Sequence, residues 1–131
     1  MYFVSNALAR KIEKMALESW KRVSLSPSHG YLLLLVMENP GIQPMELSDE
    51  LQLQPSTITR LMEKLEQKKL IARTSEGKLT NVYPTPKAKE LLPKMKQCVT
   101  DFSESCTHSF GKEESIKLIQ SMNRISDKMV H

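Results

Sequence analysis

The sequence predicts a mainly helical domain with one small β-hairpin and, near its centre, two short helices joined by a tight turn. Apolar residues recur at intervals of three and four through most of the 131 residues, which is the spacing of an amphipathic helix. Strand-forming residues cluster in one place, on both sides of Glu76-Gly77. Proline follows a polar residue where it favours the first turn of a helix, at Ser26-Pro27, Gln43-Pro44, Gln54-Pro55 and Thr85-Pro86. A chain of this length is expected to form a single domain, residues 1–131, with its own core.

The first two helices are predicted over residues 4–23 and from Pro27 to about Met37. The apolar residues of the first recur at spacings of three and four: Val4, Leu8, Ile12 and Met15. The second contains the apolar run 32–37 and stops at Asn39-Pro40-Gly41. Because the second helix is apolar nearly all round, we expect it to be the buried central helix of the domain.

A helix-turn-helix is predicted over residues 43–68. Gln43-Pro44 opens a short helix with Leu47 and Leu51 facing inward, and residues 52–54 form a tight turn. The next helix runs from Pro55 to about Lys68, with a one-sided apolar stripe of Ile58, Leu61, Met62 and Leu65. Two short helices joined by a turn of three or four residues make this motif.

The rest of the chain is predicted as a hairpin and two further helices. Residues 71–85 form the hairpin, and Thr85-Pro86 opens a long helix whose apolar face extends to Phe102. We expect residues 103–111 to interrupt that helix and a last helix to follow, with apolar residues Ile116, Ile119, Met122 and Met129 on one face. The first helix and the last two are amphipathic and lie outside the compact centre. We therefore expect their apolar faces to pack against a second copy of the chain.

Basic residues are concentrated in the middle of the chain. The net charge is +4, and residues 54–90 alone carry eight basic and four acidic side chains, an excess equal to that of the whole chain. The preceding residues 44–53 contain three acidic residues and no basic one. The basic segment has two interpretations, a surface that meets nucleic-acid phosphates or an ordinary solvated helix face.

Other classes of protein are disfavoured by what the sequence lacks. The longest apolar run is far shorter than the roughly 18 residues of a membrane-spanning helix, and residues 1–4 do not begin a signal peptide. Two cysteines are too few for a disulfide scaffold, so we expect a cytoplasmic protein without a membrane partner. No phosphate-binding glycine loop, nucleophile elbow or carboxylate pair points to an enzyme, and the three histidines lack metal-ligand spacing. We therefore expect neither catalysis, nor a metal, nor a cofactor.

Five segments of the chain together resemble the MarR family of winged-helix regulators: Glu46–Leu51, Pro55–Leu61, Lys64–Glu66, Leu70-Ile71 and Thr85–Ala88. The resemblance covers roughly residues 26–92. It implies a winged helix-turn-helix as the DNA-binding core, residues 26–85, with the hairpin as the wing. It also implies that residues 1–24 and 86–131 form the dimerisation region of a homodimer. Family members are often released from DNA by small anionic or phenolic ligands, or by thiol oxidation.

Three positions depart from the family pattern. Lys69 stands where the family often has Gly, and a left-handed backbone there would cost on the order of 1 kcal/mol relative to Gly. The wing tip, residues 75–78, lacks the family's Asp-x-Arg, so we expect Lys78 to replace the minor-groove Arg as a point charge. Arg73 matches a family Arg that pairs with that Asp, and we expect it to pair with Glu76 instead.

The candidate DNA-binding residues lie mainly at the start of the second helix of the motif, the part that enters the major groove in such proteins. Arg60 can form a bidentate contact with guanine, while hydroxyls and lysines farther along hold phosphates. The full set is Pro55, Ser56, Thr57, Thr59, Arg60, Lys64, Arg73 and Lys78. The sequence therefore predicts a ligand-responsive repressor that binds duplex DNA as a homodimer on a pseudo-palindromic operator. The alternative is a winged-helix module that holds a protein partner and has lost DNA binding.

Two further sets of residues have alternative interpretations. Trp20, His29 and Tyr31 are candidates to line a pocket for a small-molecule effector, or else are ordinary core and surface residues. Cys98 lies on the apolar face of the long helix and Cys106 lies near its end, which favours packing over redox sensing.

Overall fold

The computed structural model describes residues 1–129, so Val130 and His131 of the predicted dimerisation region lie outside the described residues. The helices are α1 Tyr2–Ser19, α2 Pro27–Glu38, α3 Pro44–Leu51, α4 Pro55–Gln67, α5 Pro86–Phe110 and α6 Lys112–Lys128. A 3-10 turn, Lys21–Val23, follows α1, and strands β1 Ile71–Glu76 and β2 Leu79–Pro84 form the hairpin. The predicted mainly helical fold with one hairpin is confirmed. In the part of the chain described here, no helix combines the length and the apolar content needed to cross a membrane.

The polar-plus-proline pairs predicted four helix starts correctly, although they act in two different ways. The side chains of Ser26 and Thr85 accept hydrogen bonds from the backbone N–H groups of His29 and Ala88, at 3.4 and 3.3 Å. Gln43 and Gln54 form no such side-chain cap. At α3 and α4 the start is therefore favoured by proline alone, whose missing N–H costs nothing in the first turn.

Helix α1 is shorter than predicted because Trp20 leaves the helix to enter the core. The helix ends at Ser19, and the N–H of Trp20 closes its last turn on the carbonyl of Ala16. The 3-10 turn then leads to Ser24, whose backbone is left-handed. The spacing of apolar residues predicted a helix as far as residue 23, because Val23 is also buried in the core. In the structure Val23 belongs to the 3-10 turn.

Helix α5 is longer than predicted, and the expected interruption over residues 103–111 is wrong. The helix continues to Phe110 and stops at Gly111, where φ is +85°. Residues 103–110 are mostly polar but contain neither glycine nor proline, so nothing in them opposes a helix. A salt bridge of 3.0 Å between Arg22 and Asp101 ties the middle of α5 to the turn after α1.

The core is built around α2, as its apolar sequence predicted. Leu32, Leu33 and Val36 of this helix are fully buried, in one apolar cluster with residues from α3, α4, the hairpin and α5. The Trp20 indole lies directly over Gly30 of α2, where a Cβ atom would come within 2.1 Å of the ring. The same indole packs against Tyr31, with ring centroids 5.1 Å apart. Trp20 therefore fixes the beginning of α2 relative to α1.

The hairpin is attached to the helical core at its base. Its strands pair antiparallel in a register that joins Ile71 to Pro84 and Glu76 to Leu79. The backbone of Val82 bonds to the loop between α2 and α3. Its carbonyl oxygen accepts from the N–H of Gly41 at 2.8 Å, and its N–H donates to the carbonyl oxygen of Ile42 at 2.9 Å. Gly77 has a positive φ in the tight turn at the tip. The base is therefore held in place while the tip projects from the domain.

Candidate nucleic-acid interface

Helix α4 presents one polar face to solvent because its other face is fixed in the core. Ile58, Met62 and Leu65 are buried, and the helix packs against α2, α3 and β1. The opposite face begins with the exposed Pro55, Ser56, Thr59 and Arg60 and continues with Lys64. The residues predicted to contact DNA in α4 thus share one outward surface, at the start of the helix. Thr57 lies at its edge and is half-buried.

Local hydrogen bonds organise the side chains at this end of α4. The guanidinium of Arg60 donates to the Thr57 hydroxyl one turn earlier, at 3.4 Å. The Thr59 hydroxyl donates to the carbonyl oxygen of Pro55 at 3.0 Å, which leaves its lone pairs available to accept. Arg60 is therefore directed toward the helix N-terminus, where a major-groove contact is expected, rather than along the helix.

The N-terminus of α4 also offers one unpaired backbone donor. Pro55 has no N–H, Gln54 supplies no side-chain cap, and the first helical turn closes through Thr57 and Ile58 on the carbonyl of Gln54. The N–H of Ser56 is thus available at the positive end of the helix dipole, a setting that favours a phosphate.

The backbone after the C-terminus of α4 is left-handed at Lys69, which is the condition under which Lys69 is costly relative to glycine. The φ of Lys69 is +60°, and the N–H of Leu70 bonds to the Leu65 carbonyl across the turn, at 2.9 Å. This pattern closes a helix most easily with glycine, so Lys69 bears the predicted cost of about 1 kcal/mol. Thr85 strengthens the junction by donating from its hydroxyl to the Lys69 carbonyl at 2.7 Å.

Arg73 pairs with Glu66 and not with Glu76 as expected. The ion pair joins the first strand of the wing to the last turn of α4. Arg73 and Glu76 lie three residues apart on a strand, so their side chains leave opposite faces and cannot meet. Arg73 thus links the hairpin to the end of α4. Lys78, next to Gly77, is exposed at the wing tip.

A second group of basic side chains lies at the other end of α4. Lys68 donates through Nζ to the carbonyl of Ser24 at 3.5 Å, and Lys87 donates to the carbonyl of Lys68 at 2.9 Å. His29, at the start of α2, has its Nδ1 atom 2.5 Å from the Ser26 hydroxyl oxygen. Burial lowers the pKa of His29 below its usual value, and the positive charges of Lys64 and Lys68 lower it further. This group was not predicted from the sequence, because its members come from three separate segments.

A cleft of about 700 Å³ lies between α2, α3 and α5. Its walls are largely apolar, and polar groups come from Tyr31, Glu38, Glu50 and Lys96. Of the three residues predicted to bind an effector, Tyr31 lines this cleft, whereas Trp20 is buried in the core and His29 lies at the start of α2, bonded to Ser26. A ligand-binding role for these residues stays a prediction.

Both cysteines occupy settings that disfavour the reactive thiolate. Cys98 is fully buried in the apolar cluster and Cys106 is partly buried, and the structure shows both as free thiols. Burial raises the pKa of each thiol above its usual value. At neutral pH both are therefore expected to stay protonated, which is the setting of a packing residue.

Comparison with known proteins shows which regulators the middle of the chain is similar to. Residues 23–78 match the model of the MarR family. Over 72 residues the chain is 32% identical to MdtR, an HTH-type transcriptional repressor of Bacillus subtilis strain 168, a stretch that covers 55% of this chain and 46% of MdtR. The central part of the chain is therefore similar to the MarR family. The match spans about half the length of that relative.

Solved structures of two DNA-binding proteins share the fold over nearly the whole chain. MepR from S. aureus, solved as a complex with DNA, has a TM-score of 0.82, 15% identity, and coverage of 98% of both chains. BpsR from Bordetella bronchiseptica has a TM-score of 0.87 and 13% identity, covering 98% of this chain and 94% of its own. The likeness therefore extends through α1, α5 and α6, which the family model does not cover.

Proposed function

We propose that this protein is a transcriptional repressor of the MarR family that binds duplex DNA sequence-specifically as a homodimer. The observation that carries the proposal is the outward face at the start of α4, where Ser56, Thr59 and Arg60 lie together beside an uncapped helix N-terminus. Residues 26–85 form the DNA-binding core in this proposal, and residues 1–24 and 86–131 form the dimerisation region. The assignment of the DNA-binding core is supported by analogy of fold with two solved complexes. These are MepR with DNA and a Listeria monocytogenes MarR-family protein with a 26mer DNA.

Each part of the surface has a distinct role in the proposed complex. Arg60 reads a guanine edge in the major groove, and Ser56, Thr57 and Thr59 contact phosphates or base edges beside it. Pro55 starts the helix and lets the DNA approach closely. Lys64 holds a phosphate farther along. Lys78 at the wing tip reaches the neighbouring minor groove, while Arg73 positions the wing through its pair with Glu66.

The dimer is proposed from apolar side chains that the single chain leaves uncovered. None of the residues of α6 is buried, and Ile116, Ile119, Met122 and Ile125 are all exposed on it. At the other terminus Val4 and Leu8 are exposed, while Ile12 and Met15 are already half-buried. Contiguous apolar surface of this kind marks an interface, and a second copy buries it symmetrically.

Light scattering at micromolar concentration is expected to give twice the 15.0 kDa mass of the chain. Ile119→Glu should shift the protein toward monomer, because it introduces a charge into the proposed apolar interface. Leu79→Glu is the matched control, since Leu79 on the wing and Ile119 are both 54% exposed. A wild-type monomer, or equal effects of the two substitutions, would contradict the proposed dimer.

Response to a small molecule is assigned to the cleft that Tyr31 lines. Its volume of about 700 Å³ suits a drug-sized organic molecule. BpsR, the structural neighbour described above, is a protein whose DNA binding is regulated by 6-hydroxynicotinic acid. A ligand held between α2 and α5 would act on both the proposed DNA-binding core and the proposed dimerisation region, so it could change the spacing of the two α4 helices.

The DNA-binding proposal is tested by the salt dependence of binding to a fluorescent duplex. The logarithm of the affinity should fall linearly with the logarithm of salt concentration, by about 0.9 for each phosphate contact. Absence of salt-dependent binding to any duplex would instead favour the protein-partner module.

A further inference from the structure

We infer that His29, Lys64 and Lys68 form a second anion site that holds a backbone phosphate of the operator, with His29 taking up a proton as the complex forms. The inference rests on the proposed DNA binding and deepens it. It adds a contact from α2, outside the recognition helix and the wing, and it makes DNA affinity depend on pH.

The position of the group follows from the geometry of α4. Arg60, Lys64 and Lys68 succeed each other at intervals of four residues, so they form a gently turning line along one side of the helix. Residues 60 and 68 are separated by about 12 Å along the axis, at 1.5 Å per residue. The major groove is also about 12 Å wide. When Arg60 reaches the base edges, Lys68 is therefore placed near the phosphates that border the groove.

The contacts of Lys68 show that the start of α2 lies close to the end of α4. Its Nζ atom lies 3.5 Å from the Ser24 carbonyl oxygen, just before the Ser26 cap of α2. His29 follows in the first turn of α2, and its Nδ1 atom is committed to the Ser26 hydroxyl at 2.5 Å. That contact leaves the other ring nitrogen, Nε2, as the one to donate to a phosphate once the ring is protonated.

The charges that face His29 favour an anion. Lys64 and Lys68 act on it from α4, and Lys87 of α5 is held close by through its bond to the Lys68 carbonyl. Within residues 1–129, no acidic side chain is among the groups that perturb His29. Lys64, Lys68 and the partly exposed imidazole of His29 thus form a group of positive or protonatable side chains. Lys68 and Lys87 each bind a carbonyl with only one of their three N–H donors, so further donors remain for a ligand.

The direction of the pH effect follows from the two states of the histidine. In the free protein, burial and the two lysines hold the pKa of His29 below 6.5. A phosphate beside the ring would offset the lysine charges and stabilise the imidazolium, so the pKa is higher in the complex. At a pH between the pKa of His29 in the free protein and its pKa in the complex, the complex holds more protons than the free protein and free DNA together. DNA affinity should therefore rise as the pH falls through that window, and level off above and below it.

The test measures duplex affinity from about pH 8 to about pH 5, the range in which histidine titrates. Wild-type affinity is expected to rise toward acid pH, by up to about tenfold per pH unit for each histidine that takes up a full proton. His29→Gln should remove the rise, and His29→Arg should keep tight binding with no pH dependence. His108→Gln is the control, because His108 is exposed on α5 away from this group and should leave the wild-type profile intact. Circular dichroism of each variant at both ends of the range checks that it is folded.

A second measurement distinguishes an operator phosphate from a free anion. The NMR titration of the His29 ring should show a raised pKa with the duplex and little change with inorganic phosphate at the same ionic strength. An equal rise with inorganic phosphate would overturn the assignment to DNA. If His29→Gln keeps the wild-type pH profile, the inference fails while DNA binding stands. If no duplex binds at any pH, the proposed function itself fails.

Discussion

Trp20→Ala is expected to lower the free energy of unfolding by about 3–5 kcal/mol, the usual cost of removing a large aromatic side chain from a core. Trp20 is fully buried and joins α1 to the start of α2 through its contacts with Gly30 and Tyr31. The cavity left behind lies between two helices that cannot close without moving α1. Urea unfolding followed by circular dichroism, at one fixed protein concentration, measures the change.

Gly30→Ala provides the complementary test of the same contact. Alanine normally favours a helix over glycine by about 1 kcal/mol, but here its Cβ would lie 2.1 Å from the Trp20 ring. We therefore expect Gly30→Ala to destabilise the wild type by about 1–3 kcal/mol and to stabilise the Trp20→Ala variant. Phe3→Ala is the control, since Phe3 is exposed at the terminus. Additive effects of the two core substitutions would contradict the described packing.

Arg60→Ala is expected to weaken binding to the preferred duplex by about 1–3 kcal/mol and to relax discrimination at one position in each half-site. Arg60 alone on this face offers a planar group that matches the O6 and N7 atoms of guanine. The bond from Arg60 to Thr57 preorganises the side chain, so less freedom is lost on binding. Anisotropy titrations against the preferred duplex and its single-base variants give both quantities.

Lys78→Ala provides the contrast to Arg60→Ala because it removes a point charge at the wing tip. It should weaken all duplexes about equally and lower the salt slope by about one for each subunit that makes the contact. Equal weakening of specific and non-specific DNA by Arg60→Ala would make Arg60 a phosphate contact instead. Base readout would then fall to Ser56, Thr57, Thr59 or the shape of the DNA.

Features determined by local sequence were predicted closely. The proline-marked helix starts, the apolar stripe of α4 and the turn at Gly77 depend on residues a few positions apart, and the structure has all of them. The backbone is left-handed at Lys69, a position that the resemblance to the family marked as one where glycine often stands. Most of the predicted contact residues of α4 share one face because a single helix carries them.

Features determined by contacts between distant segments were not predicted. The end of α1 depends on the fit of Trp20 over Gly30, and the partner of Arg73 is on α4 rather than on its own strand. The group around His29 joins the starts of α2 and α5 to the end of α4. Sequence periodicity reports which face of an element is apolar, but it does not report which side chains meet in three dimensions.

Selection of bound sequences from a random duplex pool tests the central claim most directly. If two copies of α4 enter successive major grooves, the recovered sequences should share an inverted repeat with half-site centres about one helical turn apart. Arg60→Ala should lose the preference at one guanine in each half-site while keeping the spacing. A pool that stays random after repeated selection with the wild-type dimer would contradict sequence-specific binding, and the winged helix would then be a surface for a protein partner.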